Sequence, residues 1–149
     1  MVKQIDIKNI ETAKKVLQMQ RDSYMVEAEW IGSTDIPPLK ESLEELLSCG
    51  EQFIGYFEGE DLAGALAFKT NSTEVDIHRV MVHPNHFRKG IAKKLIQYIE
   101  NLHHDKDMIV STGAKNTPAI QLYLGLGFTK VGEIEVGNGI VISNFKKQR

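Results

Sequence analysis

The segment from Val82 to Leu95 constrains the fold of this chain more than any other. It has the sequence Val-His-Pro-Asn-His-Phe-Arg-Lys-Gly-Ile-Ala-Lys-Lys-Leu and joins a strand-like run to a helix-like run that begins at Ile91. The first turn of a helix carries unpaired backbone N–H groups and the positive end of the helix dipole, and Gly90 lets an anion approach that backbone. Positive charge is added by Arg88, Lys89, Lys93 and Lys94. The segment therefore predicts a phosphate site between a strand and a helix.

An ordinary strand-to-helix connection with a solvated basic rim is the alternative for the same residues, because short glycine turns before helices are common. Two better-known phosphate motifs are absent. The Gly-x-x-x-x-Gly-Lys-Ser/Thr spacing of the P-loop does not occur here. Gly90 also has no glycine two residues before it or three after it, as a dinucleotide-binding fingerprint requires.

Length and charge narrow the class of protein. The chain has 149 residues, the usual size of one domain, so we expect a single domain over 1–149. A hydrophobic content of 42% and a charged content of 26% are those of a globular protein. A net charge of −2 gives no overall attraction to nucleic acid or to an anionic membrane, and no apolar run approaches the roughly 20 residues that span a bilayer. We therefore expect neither nucleic acid nor a membrane as a partner.

Cysteine and histidine usage adds to this picture. Cys49 is the single cysteine, so the chain has no internal disulfide, and the N-terminal residues lack the apolar core of a signal peptide. Both features favour a cytoplasmic protein. No Cys or carboxylate stands at a zinc-binding spacing from the histidines at 83, 86, 103 and 104, so no metal site is predicted. The basic residues 146–149 are interpreted as a solvated tail.

Hydrophobic periodicity and turn residues predict alternating strands and helices. The expected strands span 2–7, 52–57, 62–69, 74–83, 108–112, 128–136 and 140–145. The expected helices run from an Asn9 cap to about residue 30, over 39–47, over 91–102, and from a Thr117 cap to Gly127. Paired prolines predict a loop over 33–38, and Gly137-Asn-Gly139 predicts a hairpin. The order β-α-α-β-β-β-α-β-α-β-β indicates an α/β (mixed α+β) fold with helices on both faces of a sheet.

A second motif runs from Asn116 to Phe128 and begins 26 residues after Gly90. It has the form Asn-x-x-Ala-x-x-Leu-Tyr-x-x-x-Gly-Phe. The first segment contains Phe87-Arg-Lys-Gly-Ile-Ala92, close to the form Gln/Arg-x-x-Gly-x-Gly/Ala, preceded by Val80-Met-Val-His-Pro84. In this order and at this separation, the motifs resemble the GNAT superfamily of acetyl-CoA dependent N-acetyltransferases. The predicted element order is similar to that family along nearly the whole chain.

The resemblance implies a GNAT fold, in which a mostly antiparallel sheet of about seven strands is splayed between the fourth and fifth strands. Acetyl-CoA would lie in that slot, with its pyrophosphate on the amides that follow Phe87. The implied coenzyme-binding residues are Met81, Val82, Arg88, Lys89, Gly90, Ile91, Ala92, Lys93 and Asn116. Phe87 stands where the family usually has Gln or Arg, and the adjacent Arg88 is expected to supply the charge.

Aminolysis of a thioester needs a group that takes the amine's proton and a group that protonates the departing thiolate. The resemblance implies Tyr123 as the acid, whereas its helix position alone favours a core tyrosine on the buried face of the helix. Glu74, Asp76 and His78 alternate along one strand, and we expect their face to continue to the residues beside the slot, 80 and 82. His78 is the preferred base, because an imidazole accepts protons near neutral pH. Its spacing is similar to that of a strand histidine in arylalkylamine acetyltransferases. A solvated or paired histidine, with Asp76 or Glu74 acting through water, is the alternative.

The acceptor wall in this family is usually formed around the connection of the first two helices. The candidate substrate-binding residues there are Tyr24, Glu27, Glu29 and Trp30. Carboxylates with an aromatic ring suit a cationic amine, although a solvated acidic helix face is the alternative. The expected function is direct transfer of an acetyl group to a small-molecule or peptide amine in a ternary complex. A coenzyme A-binding sensor and an anion-binding domain are the alternatives, and a homodimer through the 128–145 hairpin is a candidate assembly.

Overall fold

The computed structural model describes residues 1–32, 37–137 and 139–149, with the side chains at 30, 31 and 37 outside that description. The strands within these ranges are β1 (Val2–Ile5), β2 (Gln52–Glu58), β3 (Asp61–Thr70), β4 (Glu74–Val82), β5 (Asp107–Gly113), β6 (Thr129–Glu135) and β7 (Val141–Lys147). The helices are α1 (Ile10–Ile31), α2 (Pro37–Lys40), α3 (Leu43–Leu47), α4 (Ile91–Leu102) and α5 (Thr117–Gly125), with a 3-10 turn at Pro84–His86.

All seven strands form one sheet in the order β1-β2-β3-β4-β5-β7-β6. Every neighbouring pair is antiparallel except β4 and β5, which run parallel. Helices pack on both faces of this sheet. The mixed, mostly antiparallel α/β architecture expected from the sequence is therefore confirmed.

The parallel pair β4–β5 is open at one end. Its pairing begins at Glu74 with Asp107 and stops at Ile77 with Val110, although β4 continues to Val82 and β5 to Gly113. Because both strands run in the same direction, the unpaired parts are their carboxyl ends. The sheet is splayed there, as expected, and a slot opens between the two strands.

The two largest apolar clusters among the described residues hold the layers together. Helices α4 and α5 cover one face of the sheet, with Phe68, Leu95 and Phe145 among the buried residues, and α1 and α3 cover the other. Gly64 permits a close approach of α4, because a Cβ there would lie 2.7 Å from Cγ2 of Ile91. The end of α4 beside the slot is therefore held firmly against β3. None of the helices in the described ranges is long and apolar enough to cross a membrane.

Two sequence predictions about the helices are wrong. The N-cap of α5 is Asn116, whose Oδ1 accepts from the N–H of Ala119 at 3.2 Å, and Thr117 is the first helical residue. The expected loop over 33–38 and helix over 39–47 also differ from the structure, since Pro37 and Pro38 begin the short helix α2. Proline is tolerated in a first turn because its missing N–H has no intrahelical partner there. Residues 33–36 of that loop and Asn138 of the expected hairpin lie outside the described residues.

The segment after α2 explains why one expected helix is two. Ser42 has an extended backbone, with ψ 165°, which interrupts the helix. Its hydroxyl accepts from the N–H of Glu45 while the Glu45 carboxylate accepts from the N–H of Ser42, forming a capping box that starts α3. The pairing of β6 with β7 confirms the expected hairpin.

Candidate active site

A cavity of about 560 Å³ lies at the splayed carboxyl ends of β4 and β5. Helix α1 closes one side of it, and the first turns of α4 and α5 close the other. Among the coenzyme-binding residues expected from the sequence, those that line the cavity are Val82, Arg88, Gly90, Ile91, Ala92, Lys93 and Asn116. Tyr24, Glu27, His78 and Tyr123 line it as well. Residues from both sequence motifs and from α1 thus meet in one space.

The edge of β4 presents unpaired backbone groups to this slot. The N–H of His83 donates to the carbonyl of Ala63 at 2.9 Å, so the polar groups of odd-numbered residues here point towards β3. The backbone polar groups of successive residues in a strand point to opposite sides. The N–H and C=O groups of Val80 and Val82 consequently point into the slot. Met81 is placed differently. Its side chain is buried in the cluster on the α1 side, and it does not line the cavity.

Strand β5 supplies the opposite edge in the same way. The N–H of Ala114 donates to the carbonyl of Val141 at 2.8 Å, so the backbone polar groups of even-numbered residues here point towards β7. The N–H and C=O groups of Ser111 and Gly113 therefore point towards the slot. Both line the cavity. No sequence motif marks a strand edge, so neither residue stands out in the sequence alone.

A β-bulge at His78 changes the face of β4. Ala67 pairs with Arg79 and Phe68 with Ile77, which leaves His78 as an extra residue. Ile77 on one side of the bulge and Val80 on the other therefore pack against the same cluster, although their numbers differ in parity. The expectation that the face of Glu74, Asp76 and His78 continues to residues 80 and 82 is wrong, because one inserted residue reverses the alternation.

The three candidate bases on β4 have different surroundings. His78 lines the cavity, with Nε2 3.2 Å from Oδ2 of Asp76 and Nδ1 3.7 Å from Oε1 of Glu51. Asp76 and Glu74 lie on the paired part of the strand, outside the cavity lining. Glu74 forms an ion pair with Lys146 at 3.5 Å. The structure thus brings only His78 of these three to the cavity.

The N-terminus of α4 forms the basic end of the cavity. Gly90, with φ +73°, is its N-cap, and no side chain caps the helix. The first helical bond is from the N–H of Lys94 to the carbonyl of Gly90 at 3.1 Å. Among the described residues, none accepts a hydrogen bond from the N–H groups of 88–93. A Cβ at Gly90 would meet nothing within 4 Å, so the space beside these amides is open.

Basic side chains around this helix end are not equivalent. Arg88, also in the left-handed region at φ +66°, and Lys93 line the cavity. Lys89 instead turns to Glu58, with its Nζ 3.1 Å from Oε2, and lies outside the lining. Hydrogen bonding by Lys89 lowers the pKa of the exposed Glu58 carboxyl. Phe87 also lines the cavity.

Tyr123 on α5 is 4% exposed, and its ring packs against Phe128 and Phe145 with centroids 5.7 and 5.8 Å away. No hydrogen bond to its hydroxyl occurs among the described residues. Among the described residues, every side-chain N or O atom that is fully buried has a hydrogen-bond partner. Because the Tyr123 hydroxyl has none, its oxygen is not fully buried. The phenol therefore has a buried ring and a hydroxyl open to the cavity. Burial raises its pKa, and the negative charge of Glu27 raises it further.

Glu27 projects from α1 into the same cavity. Its Oε1 accepts a hydrogen bond of 2.6 Å from Nδ2 of Asn116, the residue that caps α5. Burial raises the pKa of the Glu27 carboxyl, and interactions with Asn116 and then Thr112 oppose that shift. Tyr24 lies nearby, and burial followed by the Glu27 charge raises the pKa of its phenol. Of the other two acceptor candidates, Glu29 is exposed outside the cavity lining, and the Trp30 side chain lies outside the described residues.

Arg79, which belongs to neither sequence motif, lies next to the bulge. Arg79 donates to the carboxylates of Glu41 and Glu51 and to Oε1 of Gln20. These contacts tie β4 to α1 and to the segment around α3. The available signal was a charged residue inside the apolar run of a strand, which requires a buried partner. Among the described residues, no group of three His, Cys, Asp or Glu side chains could hold a metal ion.

Comparison with known proteins identifies relatives of this chain. Residues 12–149 match the family model described as an acetyltransferase (GNAT) domain. UPF0157 protein YqkA of Bacillus subtilis is 34% identical over 146 residues, which are 97% of this chain and 43% of the relative. N-acetyltransferase 8B of Rattus norvegicus is 30% identical over 90 residues, 56% of this chain and 38% of the relative. The chain spans less than half the length of these two relatives.

Solved structures support the fold. PaiA N-acetyltransferase from Thermoplasma acidophilum, in complex with coenzyme A, has a TM-score of 0.77 at 18% identity, covering 100% of this chain and 98% of that one. An acetyltransferase from Thermus thermophilus has a TM-score of 0.78 at 13% identity, covering 99% and 96%. At these identities, the similarity establishes a shared architecture.

Proposed function

Because the chain belongs to the acetyltransferase (GNAT) family, we propose that it is an N-acetyltransferase that moves an acetyl group from acetyl-CoA to an amine. The observation that carries this proposal is a single cavity with three suitable parts. Unpaired helix amides lie at one end, unpaired strand edges run along the slot, and the Tyr123 hydroxyl opens into it. The helix amides suit a diphosphate, the strand edges suit the amides of a pantetheine chain, and the hydroxyl suits a thiolate that must be protonated.

The coenzyme end is proposed to be the start of α4. The N–H groups of 88–93 and the positive helix end suit the pyrophosphate, and Arg88 and Lys93 add charge. The pantetheine arm would pair with Val80 and Val82 in the manner of an added strand. Met81 keeps a supporting role in this proposal, because its backbone pairs with β3 and holds the β4 edge in place.

Acyl transfer is proposed to occur by direct attack. The thioester carbonyl would be polarised by the N–H of Val82, which points into the slot. The amine nitrogen attacks the carbonyl carbon, the C–S bond breaks, and Tyr123 protonates the sulfur. Cys49 lies outside the cavity lining, so among the described residues no thiol is placed to carry the acetyl group first. Transfer in a ternary complex follows.

The acceptor side is proposed to bind a cationic amine, as a small molecule or a peptide N-terminus. Tyr24 and Glu27 face the cavity there, with Glu51 behind His78. Carboxylates attract the ammonium form in which an amine of pKa about 10 enters at neutral pH. A cytoplasmic location and a homodimer stay predictions from the sequence.

Two measurements test this function. Acetyl-CoA should raise the melting temperature of the protein by mass action, and mass spectrometry should detect acetylated product from spermidine, tryptamine or a tripeptide with a free N-terminus. Stabilisation without turnover of any amine would indicate a coenzyme-binding module instead. Absence of both would contradict the assignment of the cavity.

A further inference from the structure

We propose that Glu27 is the general base that takes the proton of the acceptor amine, and that its protonation then assists Tyr123 in protonating the departing sulfur. This inference rests on the proposed function and names the base for that same site. Glu27 belongs to neither sequence motif, and the sequence assigns it only to the acceptor wall. Its contacts carry the inference.

The position of Glu27 suits a base. It lines the cavity together with Tyr123 and Val82, the groups proposed to meet the sulfur and the carbonyl oxygen. Asn116 donates to one carboxylate oxygen, Oε1, at 2.6 Å and thereby sets the orientation of the group. A carboxylate has about four acceptor sites, so capacity remains for the N–H of an ammonium. The carboxylate is oriented without being saturated.

Glu27 also lacks a cation. No Lys, Arg or His nitrogen among the described residues lies within 4 Å of it, whereas the carboxylate of Glu51 is paired with Arg79. A partly buried carboxylate without a cation favours either a proton or a cationic ligand. Binding an ammonium and then taking its proton would satisfy both preferences in sequence.

His78 is a poorer choice on geometry. Carboxylates flank both ring nitrogens, at 3.2 Å from Asp76 and 3.7 Å from Glu51, so they compete with an incoming amine. It also lies at the bulge, where the strands begin to separate, whereas Glu27 is hydrogen-bonded to the cap of the helix that carries Tyr123. The acid and Glu27 are therefore held by one structural unit.

Electrostatics support the same assignment. Burial raises the pKa of Glu27, which brings a carboxyl closer to the operating pH and makes it a more effective base. The other titratable or charged side chains that face the cavity are Tyr24, His78, Arg79, His86, Arg88, Lys93 and Tyr123. Of these, Arg88 and Lys93 lie at the helix end, where the pyrophosphate would offset their charge.

The two groups are coupled through charge. Burial and then the Glu27 charge raise the pKa of Tyr123, whereas a thiol titrates at about 8–9. While Glu27 is ionised, Tyr123 therefore holds its proton tightly. Once Glu27 has taken a proton, this second cause disappears, and the phenol becomes a stronger acid at the stage when the thiolate leaves.

The protons balance. The ammonium loses one proton to Glu27, and the free amine forms the C–N bond. The C–S bond then breaks with its electron pair going to sulfur, which takes the phenolic proton. Tyr123 recovers a proton from Glu27, and the second nitrogen proton leaves to solvent as the amide forms. Both side chains return to their starting states.

The test compares Glu27→Gln with Glu11→Gln, the same substitution at an exposed position of the same helix outside the cavity lining. The introduced glutamine keeps an oxygen for Asn116 but cannot take a proton. With whichever of spermidine, tryptamine or the tripeptide wild type acetylates fastest, we expect kcat at pH 7 to fall by about 10²–10⁴-fold. Turnover by Glu27→Gln should rise about tenfold per pH unit towards the amine pKa, whereas wild type should level off. Glu11→Gln should match wild type.

Several outcomes would overturn the assignment. Wild-type turnover and pH profile in Glu27→Gln would do so, and so would a rise in KM alone, which indicates binding without proton transfer. Stabilisation by acetyl-CoA checks that the variant is folded, and Glu27→Asp should keep a levelling pH profile at a reduced rate. If wild type acetylates none of the three amines, the proposed function itself fails and the base assignment fails with it.

Discussion

Nδ2 of Asn116 lies 2.6 Å from Oε1 of Glu27, so the side chain that caps α5 also holds a carboxylate of α1. The two residues are 89 positions apart in the chain. Asn116 itself is buried, at 4% exposure, and its Oδ1 accepts from the N–H of Ala119. One amide therefore uses its oxygen for the helix that carries Tyr123 and its nitrogen for the proposed base.

Two substitutions should separate the two roles of the Asn116 side chain, as helix cap and as donor to Glu27. Asn116→Ala removes the cap acceptor and the donor to Glu27, whereas Asn116→Ser keeps a cap acceptor and loses the donor. We expect urea denaturation to give an unfolding free energy about 1 kcal/mol lower for the Ala variant than for the Ser variant. In both, the acidic limb of the pH–rate profile should move to higher pH, because the Asn116 bond opposes the rise of the Glu27 pKa. Equal stability of the two variants would contradict the cap.

Glu27 should also make stability depend on pH. Its folded pKa lies above its unfolded value, so between the two values the native state binds more protons than the unfolded state. The unfolding free energy of wild type therefore falls as pH rises through that window, beginning near pH 4. The glutamine side chain does not titrate, so thermal unfolding should show Glu27→Gln gaining stability relative to wild type from pH 4 to pH 8. A flat Glu27→Gln difference would be inconsistent with the raised pKa of Glu27.

Part of the candidate site can be predicted from the sequence, as the residues of its two motifs show. Gly90 and Tyr123 lie in separate motifs of short range, and each motif specifies local structure, a helix start or a helix face. Hydrophobic periodicity predicts the order of elements along the chain, but their convergence on one cavity depends on β4 and β5 being neighbours in the sheet. The splay between β4 and β5 is implied by the family resemblance, since no local pattern encodes it.

Features that depend on contacts between distant segments are harder to predict from the sequence. The bulge at His78 inserts one residue without any Gly or Pro to mark it, so the alternation rule gives the wrong face beyond it. The contact of Glu27 with Asn116 joins distant segments, and sequence spacing carries no information about such a pair. Pro118 favours Thr117 as the cap when the sequence is considered alone. The structure starts the helix one residue earlier, because the Asn116 side chain accepts from the N–H of Ala119.

Removing the Tyr123 hydroxyl should affect chemistry and leave folding unchanged. Phe keeps the packing on Phe128 and Phe145, and no described residue loses a hydrogen bond. We expect Tyr123→Phe to lower kcat by roughly 10²–10³-fold, with coenzyme affinity and melting temperature near wild type. Tyr98→Phe, on the partly buried side of α4 and outside the cavity, is the matched control and should be silent. Wild-type turnover in Tyr123→Phe would remove this phenol from the mechanism.

The pyrophosphate site is tested by charge and bulk at the start of α4. Gly90→Glu would place a carboxylate beside amides that are open to solvent, and we expect it to abolish the thermal stabilisation by acetyl-CoA. Backbone strain is controlled by Gly50→Glu, because Gly50 has φ +74° against +73° for Gly90 and also has open space around it. That control should lose similar stability and still bind coenzyme. Coenzyme binding by a folded Gly90→Glu protein would place the pyrophosphate elsewhere.

The cluster around Arg79 should be essential for stability. Its side chain is 11% exposed between Glu41 and Glu51, at 15% and 7%, so Arg79→Met would leave two poorly solvated carboxylates without their cation. We expect a loss of about 3 kcal/mol in unfolding free energy at pH 7. Arg21→Met is the control. Among the described residues, exposed Arg21 makes a single hydrogen bond, at 3.4 Å to the Glu41 carbonyl, and its loss should change stability by about 0.5 kcal/mol or less.

The loss in Arg79→Met should shrink in acid. Burial by itself raises the pKa of Glu51, but hydrogen bonds and charge from Arg79 outweigh it, and the pKa lies below its ordinary value. The stability that this pair contributes is therefore complete above the unfolded pKa of about 4.3 and is lost as pH falls through the folded value. Urea unfolding at pH 7 and at pH 3 should show the gap between wild type and Arg79→Met narrowing at the lower pH. A gap that stays constant would mean that Arg79 stabilises the fold through packing alone, independently of the ionisation of Glu51.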